Sequence, residues 1–339
     1  MSQTLITGGS GFIGQHLAAA LLARGDRVRI LDLRSPERGS AAAQYVNGSV
    51  LDPMLVRRAM EGVEEVYHLA GLPGMWTPRK LDFHDVNCHG TAVVLAAARE
   101  SGVRRLLHCS TESILFARSD AGAAVTELTR TTPEEMPGPY TLSKMKAERL
   151  AMAAAASGLP VVIANPTMPI GPYRHLTPPT EMLRYFLNRR LQVYMDFVLN
   201  LVDVRDVATG LILAMERGRI GERYILGGED LSLRKLLETL AAMSGHAALL
   251  VPFPGKMALI VAAAMEFMAD HVTHRPPAAT VEGVKIALRS KALSIEKSRF
   301  ELGYTPRPIE AALRDVIAAV LAESVKSPYP PAALYKSEF

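Results

Sequence analysis

The chain has 339 residues, of which 49% are apolar and 21% charged, and its net charge is +4. At about 150 residues per domain this allows two domains or one large one, and the apolar share excludes a disordered or fibrous chain. A core of this size needs no disulfide or metal staple, and two cysteines, Cys88 and Cys109, are too few for a disulfide framework.

The first half alternates short apolar runs with helical patterns. Strands are predicted at Thr4–Thr7, Val28–Leu31, Gln44–Val46, Glu65–Leu69, Leu106–Cys109 and Val161–Ala164. Helices are predicted between them at Phe12–Arg24, Met54–Met60, Phe83–Glu100 and Tyr140–Ser157. Strand–helix alternation at this spacing predicts an α/β fold, a Rossmann-like doubly wound parallel sheet. After residue 165 the texture changes to loop chemistry, Asn165-Pro166-Thr167-Met168-Pro169-Ile170-Gly171-Pro172 and then Thr177-Pro178-Pro179. A helix near Glu181–Arg189, a strand pair near Gln192–Val202 and a helix near Arg205–Glu216 follow. Next come a strand at Arg223–Leu226 and a helix near Ser232–Met243, then a helical, apolar stretch from Pro252 to Ala292 broken at Pro276-Pro277. A last amphipathic helix is predicted at Pro308–Glu323, and Ser327–Phe339 reads as an extended tail.

The strongest motif is Thr7-Gly8-Gly9-Ser10-Gly11-Phe12-Ile13-Gly14, which follows a strand and opens a helix. Gly8 permits a tight turn, Gly11 lets a phosphate approach the backbone, and Gly14 lets helix and sheet pack closely. The helix N-terminus offers N–H groups and a positive dipole end to a pyrophosphate. Gly8, Gly11, Phe12, Ile13 and Gly14 are therefore the predicted phosphate cradle. Asp32 ends the second strand, where a carboxylate accepts both ribose hydroxyls and repels a 2′-phosphate. That favours NAD over NADP, although Arg34 and Arg38 could hold a 2′-phosphate if Asp32 turned away.

Tyr140 and Lys144 are four residues apart at the start of a helix, on one face. A phenol is a poor base at neutral pH, but an adjacent ammonium and a nicotinamide cation both favour the phenolate. The preceding strand ends His108-Cys109-Ser110-Thr111-Glu112-Ser113, where a hydroxyl can bond the substrate oxygen. Thr111 is chosen, with Ser110 open. Trp76, in the loop after the fourth strand, either borders the substrate or packs. It and Glu112 are the predicted substrate contacts. His84, Cys88 and His89 sit on one apolar helix without a fourth partner, so no metal site is expected.

On these residues the chain resembles the extended short-chain dehydrogenase/reductase family, the epimerase/dehydratase and dihydroflavonol 4-reductase-like group. The glycine turn, Asp32, Leu69-Ala70-Gly71, Asn87-x-x-Gly90-Thr91, Thr111, and Tyr140 with Lys144 fall in order over most of the chain. Within the group it is most similar to the hopanoid-associated sugar epimerase subgroup, through Leu159–Pro166 with Pro169–Pro172, Leu199–Val204, Gly221–Glu229 and Glu301–Tyr304. The resemblance implies Thr111, Tyr140 and Lys144 as the catalytic trio. It also implies Leu69 and Ala70 along the cofactor cleft, and Pro166 and Thr167 near the nicotinamide. The family has Gly-Asp before the second helix, whereas this chain has Gly48-Ser49, so the adenine contacts at Ser49 and Val50 are altered. Reductases of the group carry Arg where this chain has Asp32. Dehydratases carry an acid two residues after the threonine, where this chain has Ser113.

The predicted organisation is a cofactor domain over residues 1–165, with segments at 192–226 returning to it, a substrate lobe over 166–326 and a tail over 327–339. The predicted chemistry is hydride transfer at a secondary alcohol or ketone. An epimerase that takes the hydride back uses the same residues. A non-catalytic NAD(P)-binding sensor is the third reading, opposed by the presence of both Tyr140 and Lys144. Apolar residues nearly surround the helix at Met257–Ala269, which predicts a buried helix, a dimer contact, a wall for a lipophilic substrate or a patch resting on a membrane. This stretch is too short to span a bilayer. Few cysteines, and an N-terminus running straight into a strand, predict a cytoplasmic protein; a small-molecule substrate and a homodimer are expected as well. The basic residues are dispersed, so no nucleic-acid partner is expected.

Overall fold

The structure is a computed structural model that describes residues 3–34, 42–116, 124–171, 178–188, 191–245 and 248–326. Arg38, Pro172, Thr177 and the tail over 327–339 lie outside the described residues.

In chain order, β1 (Gln3–Thr7), α1 (Phe12–Ala23), β2 (Arg27–Asp32), β3 (Gln44–Asn47), α2 (Pro53–Ala59) and β4 (Glu65–His68) form the first half-sheet. The chain continues through α3 (Leu81–Phe83), a π-helical turn (His84–His89), α4 (Gly90–Glu100), β5 (Arg105–Cys109), α5 (Pro139–Ala156) and β6 (Val161–Pro166). Together with β10 (Arg223–Leu226) these strands form a parallel seven-stranded sheet in the order β10-β6-β5-β4-β1-β2-β3. The order reverses at β1, so a crevice opens beyond the carboxyl ends of β1 and β4. Helices cover both faces, which is why Leu5, Ile6, Leu106, Leu107, Val161 and Val162 are fully buried. Each such side chain contributes roughly 1.5–3 kcal/mol.

Local chemistry starts the helices where it can. Asp52 accepts the N–H groups of Met54 and Leu55 to open α2, with Pro53 at its first position. The lobe contains β7 (Met168–Ile170), α6 (Pro178–Leu187), β8 (Leu191–Tyr194) and β9 (Val198–Asp203), after which α7 (Val204–Arg217) returns to the large sheet. It continues after β10 with β11 (Glu229–Ser232), α8 (Leu233–Ser244), β12 (Leu249–Pro252), α9 (Gly255–Met268), α10 (Val281–Arg289) and α11 (Ile309–Lys326). Ile170, Leu183, Leu236, Leu240, Leu313 and Val316 form its core, while α7 packs against α1.

Two expectations are corrected. The strands near 192–202 do not pair with each other. β8 pairs with β12, whereas β9 lies between β7 and β11. Their burial shows why: β8 buries alternate residues, as an outer strand does, and β9 is buried along nearly its whole length. The helix at 257–269 is not buried either. Within α9 only Ala262 is, and Ile260 and Phe267 are 71% and 60% exposed. α9 packs on α10, leaving most of its apolar surface outward.

Candidate active site

The glycine turn lies at the carboxyl end of β1. Gly8 has φ +74°, and a Cβ there would sit 2.7 Å from the Ala70 backbone nitrogen. A Cβ on Gly14 would collide with the Gly8 carbonyl. Only glycine allows the β1 turn, the β4 end and α1 to approach this closely. The N-cap of α1 is Gly11, which has no side chain, and the first turn carries no acid, so the helix itself brings no anion to its positive end. Asp32 Oδ2 accepts the Ser10 N–H and Oδ1 accepts the Arg34 N–H, both at 3.0 Å. The carboxylate is thereby locked beside the turn with lone pairs to spare. Glycine cradle, helix N-terminus and fixed acid together fit a dinucleotide.

Leu69 and Ala70 follow β4 and complete the wall. A one-way chain of hydrogen bonds fixes them. The Ala70 N–H donates to Thr7 Oγ1 (3.3 Å), Thr7 bonds His68 Nδ1 (2.8 Å), His68 Nε2 bonds Thr91 (2.9 Å), and Thr91 donates to the Asn87 carbonyl (2.6 Å). Thr91 spends its one proton on the Asn87 carbonyl, so His68 Nε2 carries a proton and donates to Thr91; in the neutral ring Nδ1 then accepts from Thr7. Burial, with the Lys144 charge adding to it, pushes His68 down to about 3, which makes the ring neutral. Asn87 accepts the Leu72 N–H (2.7 Å) and donates to Ser143 (3.0 Å), tying the loop after β4 to α5. Ser49 accepts the Leu51 N–H (3.1 Å), and the buried Val50 side chain packs against Gly90. Pro166 and Thr167 stand at the end of β6. The hydroxyls of Thr167 and Ser110 are buried without a protein partner.

Tyr140 and Lys144 lie on the first turns of α5, with Thr111 at the end of β5. Lys144 Nζ donates to the Cys109 carbonyl (2.8 Å). The Tyr140 ring packs edge-on against Phe83 at 5.9 Å. Burial raises the phenol above its ordinary value and the Glu112 charge raises it further, while the Thr111 hydroxyl partly offsets both. Burial lowers Lys144, against Cys109 and Glu148. The expected depression of the phenol by the neighbouring ammonium is not among the main influences on it in the protein alone; burial and Glu112 set the direction. Glu112 accepts from Thr111 Oγ1 (2.9 Å) and from Ser113 Oγ (3.4 Å), and burial pushes it up to about 7.

Two groups escaped the sequence reading. Gly138 has no side chain to cap α5, and Glu282 of α10 does so instead. It accepts the N–H groups of Tyr140 (3.1 Å) and Thr141 (2.7 Å) and the Thr141 hydroxyl (2.7 Å). Glu148 pairs with Arg223 (2.6 Å) and accepts from Asn165 (2.8 Å), which also donates to the Thr111 carbonyl (3.1 Å). Trp76 turns out to be a tether: its indole N–H donates to Asp270 (2.7 Å), and Lys80 sits over the ring at 4.9 Å.

A family model described as the NAD dependent epimerase/dehydratase family matches residues 4–227. "Sterol demethylase protein B" of Methylococcus capsulatus is 30% identical over 322 residues, covering 93% of this chain and 97% of that one. A "4-hydroxy-2-methyl-3-oxo-4-farnesyl-3,4-dihydroquinoline-1-oxide ketoreductase" of Stigmatella aurantiaca is 30% identical over 318 residues, covering 90% and 92%. Among solved structures, that titled "Crystal structure of gox2253" superposes with a TM-score of 0.81 at 33% identity, covering 95% of this chain and 99% of that one. Since the match runs through the glycine turn, the end of β5 and α5 alike, this chain belongs to the NAD-dependent epimerase/dehydratase family of extended short-chain dehydrogenases/reductases.

Proposed function

We propose that the protein is an NAD-dependent oxidoreductase that interconverts a secondary alcohol and a ketone on a bulky, apolar substrate. The observation that carries this is the convergence of Thr111, at the carboxyl end of β5, with Tyr140 and Lys144, at the amino end of α5. NAD, when bound, supplies the hydride acceptor and a positive charge near the phenol. Tyr140 exchanges the proton of the substrate oxygen, and Thr111 orients that oxygen. Lys144 holds the cofactor ribose and opposes the charge of Glu112 at Tyr140. Tyr140 starts protonated, so in the reducing direction it is ready to donate. Cofactor binding belongs to residues 1–165 with the returning segments at about 192–226, and substrate binding mainly to the lobe over 166–326. Asp32, anchored by two backbone N–H groups, supports NAD over NADP.

Support for an apolar substrate comes from the relatives, one named for a sterol and one for a farnesylated quinoline, and from the lobe. Met257, Ile260, Met265, Phe267 and Val272 are exposed, and the Trp76–Asp270 tether holds this end of the lobe beside the loop after β4. This surface supports peripheral contact with a lipid bilayer. Among the described residues no helix is long and apolar enough to cross one. Sedimentation with anionic vesicles tests the contact: wild type should pellet and the Ile260→Glu, Phe267→Glu double variant should not. Equal pelleting of the two proteins would remove it.

Mass spectrometry of the copurifying nucleotide, then a screen of ketones and alcohols followed by nicotinamide absorbance, tests the reading as a whole. NAD with single-transfer turnover is expected. Isomerisation without net cofactor change would instead identify an epimerase, and a bound nucleotide without turnover of any substrate a sensor.

A further inference from the structure

Glu112 has a setting unlike the other acids near the site. Glu282 is spent on capping α5, and Glu148 is paired with Arg223. Glu112 has no charged partner of this kind: its carboxyl meets the hydroxyls of Thr111 (Oγ1 at 2.9 Å) and Ser113 (Oγ at 3.4 Å) and the backbone N–H groups of Glu112 and Ser113. Among the described residues no lysine, arginine or histidine pairs with it. The other titratable groups in play are the Tyr140 phenol, on which Glu112, Glu282 and Cys109 all act, and Lys144, held against the Cys109 carbonyl.

Thr111 has one hydroxyl proton, and here it points at Glu112. Its oxygen accepts the Ser113 N–H (3.3 Å) and lies 3.1 Å from Ser113 Oγ, whose proton can go to Glu112 Oε1 (3.4 Å) and so leaves Thr111 a lone pair. An ionised Glu112 can only accept, so it claims that proton. Thr111 then offers a substrate oxygen lone-pair density, which suits an alcohol O–H and not a ketone. A protonated Glu112 can donate to Thr111, which frees the threonine proton for a ketone oxygen.

We propose that Glu112 is a positioning residue that sets the hydrogen-bond polarity of Thr111, so that its protonation favours the ketone complex and its ionisation the alcohol complex. No bond to carbon forms or breaks in this step. One proton moves between solvent and the Glu112 carboxyl, and the Thr111 hydroxyl reverses direction. Burial that pushes Glu112 up to about 7 puts the reversal at neutral pH. The inference rests on the alcohol–ketone reading above.

Its test has an arm that needs no substrate. Carboxyl NMR of isotope-labelled glutamate, with Glu112→Gln identifying the resonance, reads the group directly. A midpoint near neutrality is expected, moving further up in Thr111→Val, which removes the hydroxyl donor. An ordinary carboxylate midpoint, or one that ignores Thr111→Val, overturns the proposal. The second arm compares apparent KM for a ketone and its alcohol across neutral pH. The ratio should change about tenfold in wild type and stay flat in Glu112→Gln, whose amide donates at every pH. Matching pH profiles in the two folded proteins would also overturn it. If the carboxyl titrates as expected but no alcohol or ketone is turned over, the coupling of Glu112 to Thr111 stands and the hydride-transfer reading fails.

Discussion

The sheet that builds the cofactor crevice and the lobe that covers it are held together in different ways. Around β1 and β4 the constraints are local in sequence or run between neighbouring strands: a glycine turn closed against Ala70, an aspartate anchored by Ser10 and Arg34, and a neutral His68 strung between two threonines. The lobe acts at long range. Glu282 reaches the helix that carries Tyr140 from 142 residues away, and Asp270 holds Trp76 from 194 away. The crevice fits a cofactor, while the lobe caps the helix that carries Tyr140 and presents an apolar face.

The sharpest way to separate the two contributions is Tyr140→Phe. It removes one hydroxyl and leaves the cradle untouched. Turnover should fall about a hundredfold to ten-thousandfold, with the NAD dissociation constant within about threefold of wild type. Activity near the wild-type level would remove Tyr140 from proton transfer.

A smaller effect probes the crevice alone. A 2′-phosphate would face the Asp32 carboxylate at a cost of about 1–2 kcal/mol, so wild type should bind NAD about tenfold more tightly than NADP. Asp32→Asn should narrow the gap. Fluorescence titration of both reduced cofactors checks this, and equal affinities in wild type would mean that a neighbouring arginine governs the pocket.

The lobe has its own probe. Glu282→Ala strips the cap from α5 and should cost about 1–2 kcal/mol of stability, read from the denaturant midpoint. It should also lower kcat about tenfold by loosening Tyr140. Glu282→Gln keeps one acceptor oxygen and should recover part of both losses. If Glu282→Ala matched wild type in both respects, the lobe would have no hold on the catalytic helix.

The same contrast explains what the sequence made legible. The strands of the large sheet, the glycine turn, Asp32 and the Tyr140–Lys144 spacing are readable because each depends on residues a few positions apart. The cap from Glu282 carries no local signal: Gly138 shows only that α5 lacks a cap of its own, and nothing near it names the residue that supplies one. α9 misled for a related reason. A helix apolar on all sides reads as buried, yet only tertiary packing decides which face meets the protein, and here that face is little more than Ala262. The direction of the Tyr140 shift was hidden as well, because it depends on burial and on Glu112, not on the four-residue spacing to Lys144.

The central claim is that this crevice serves a bulky apolar alcohol or ketone and not a nucleotide sugar. Titration calorimetry of the NAD-loaded enzyme with UDP and with GDP tests it most directly. The account predicts no saturable heat with either nucleotide, and micromolar binding of either one would contradict it and favour a sugar-nucleotide epimerase.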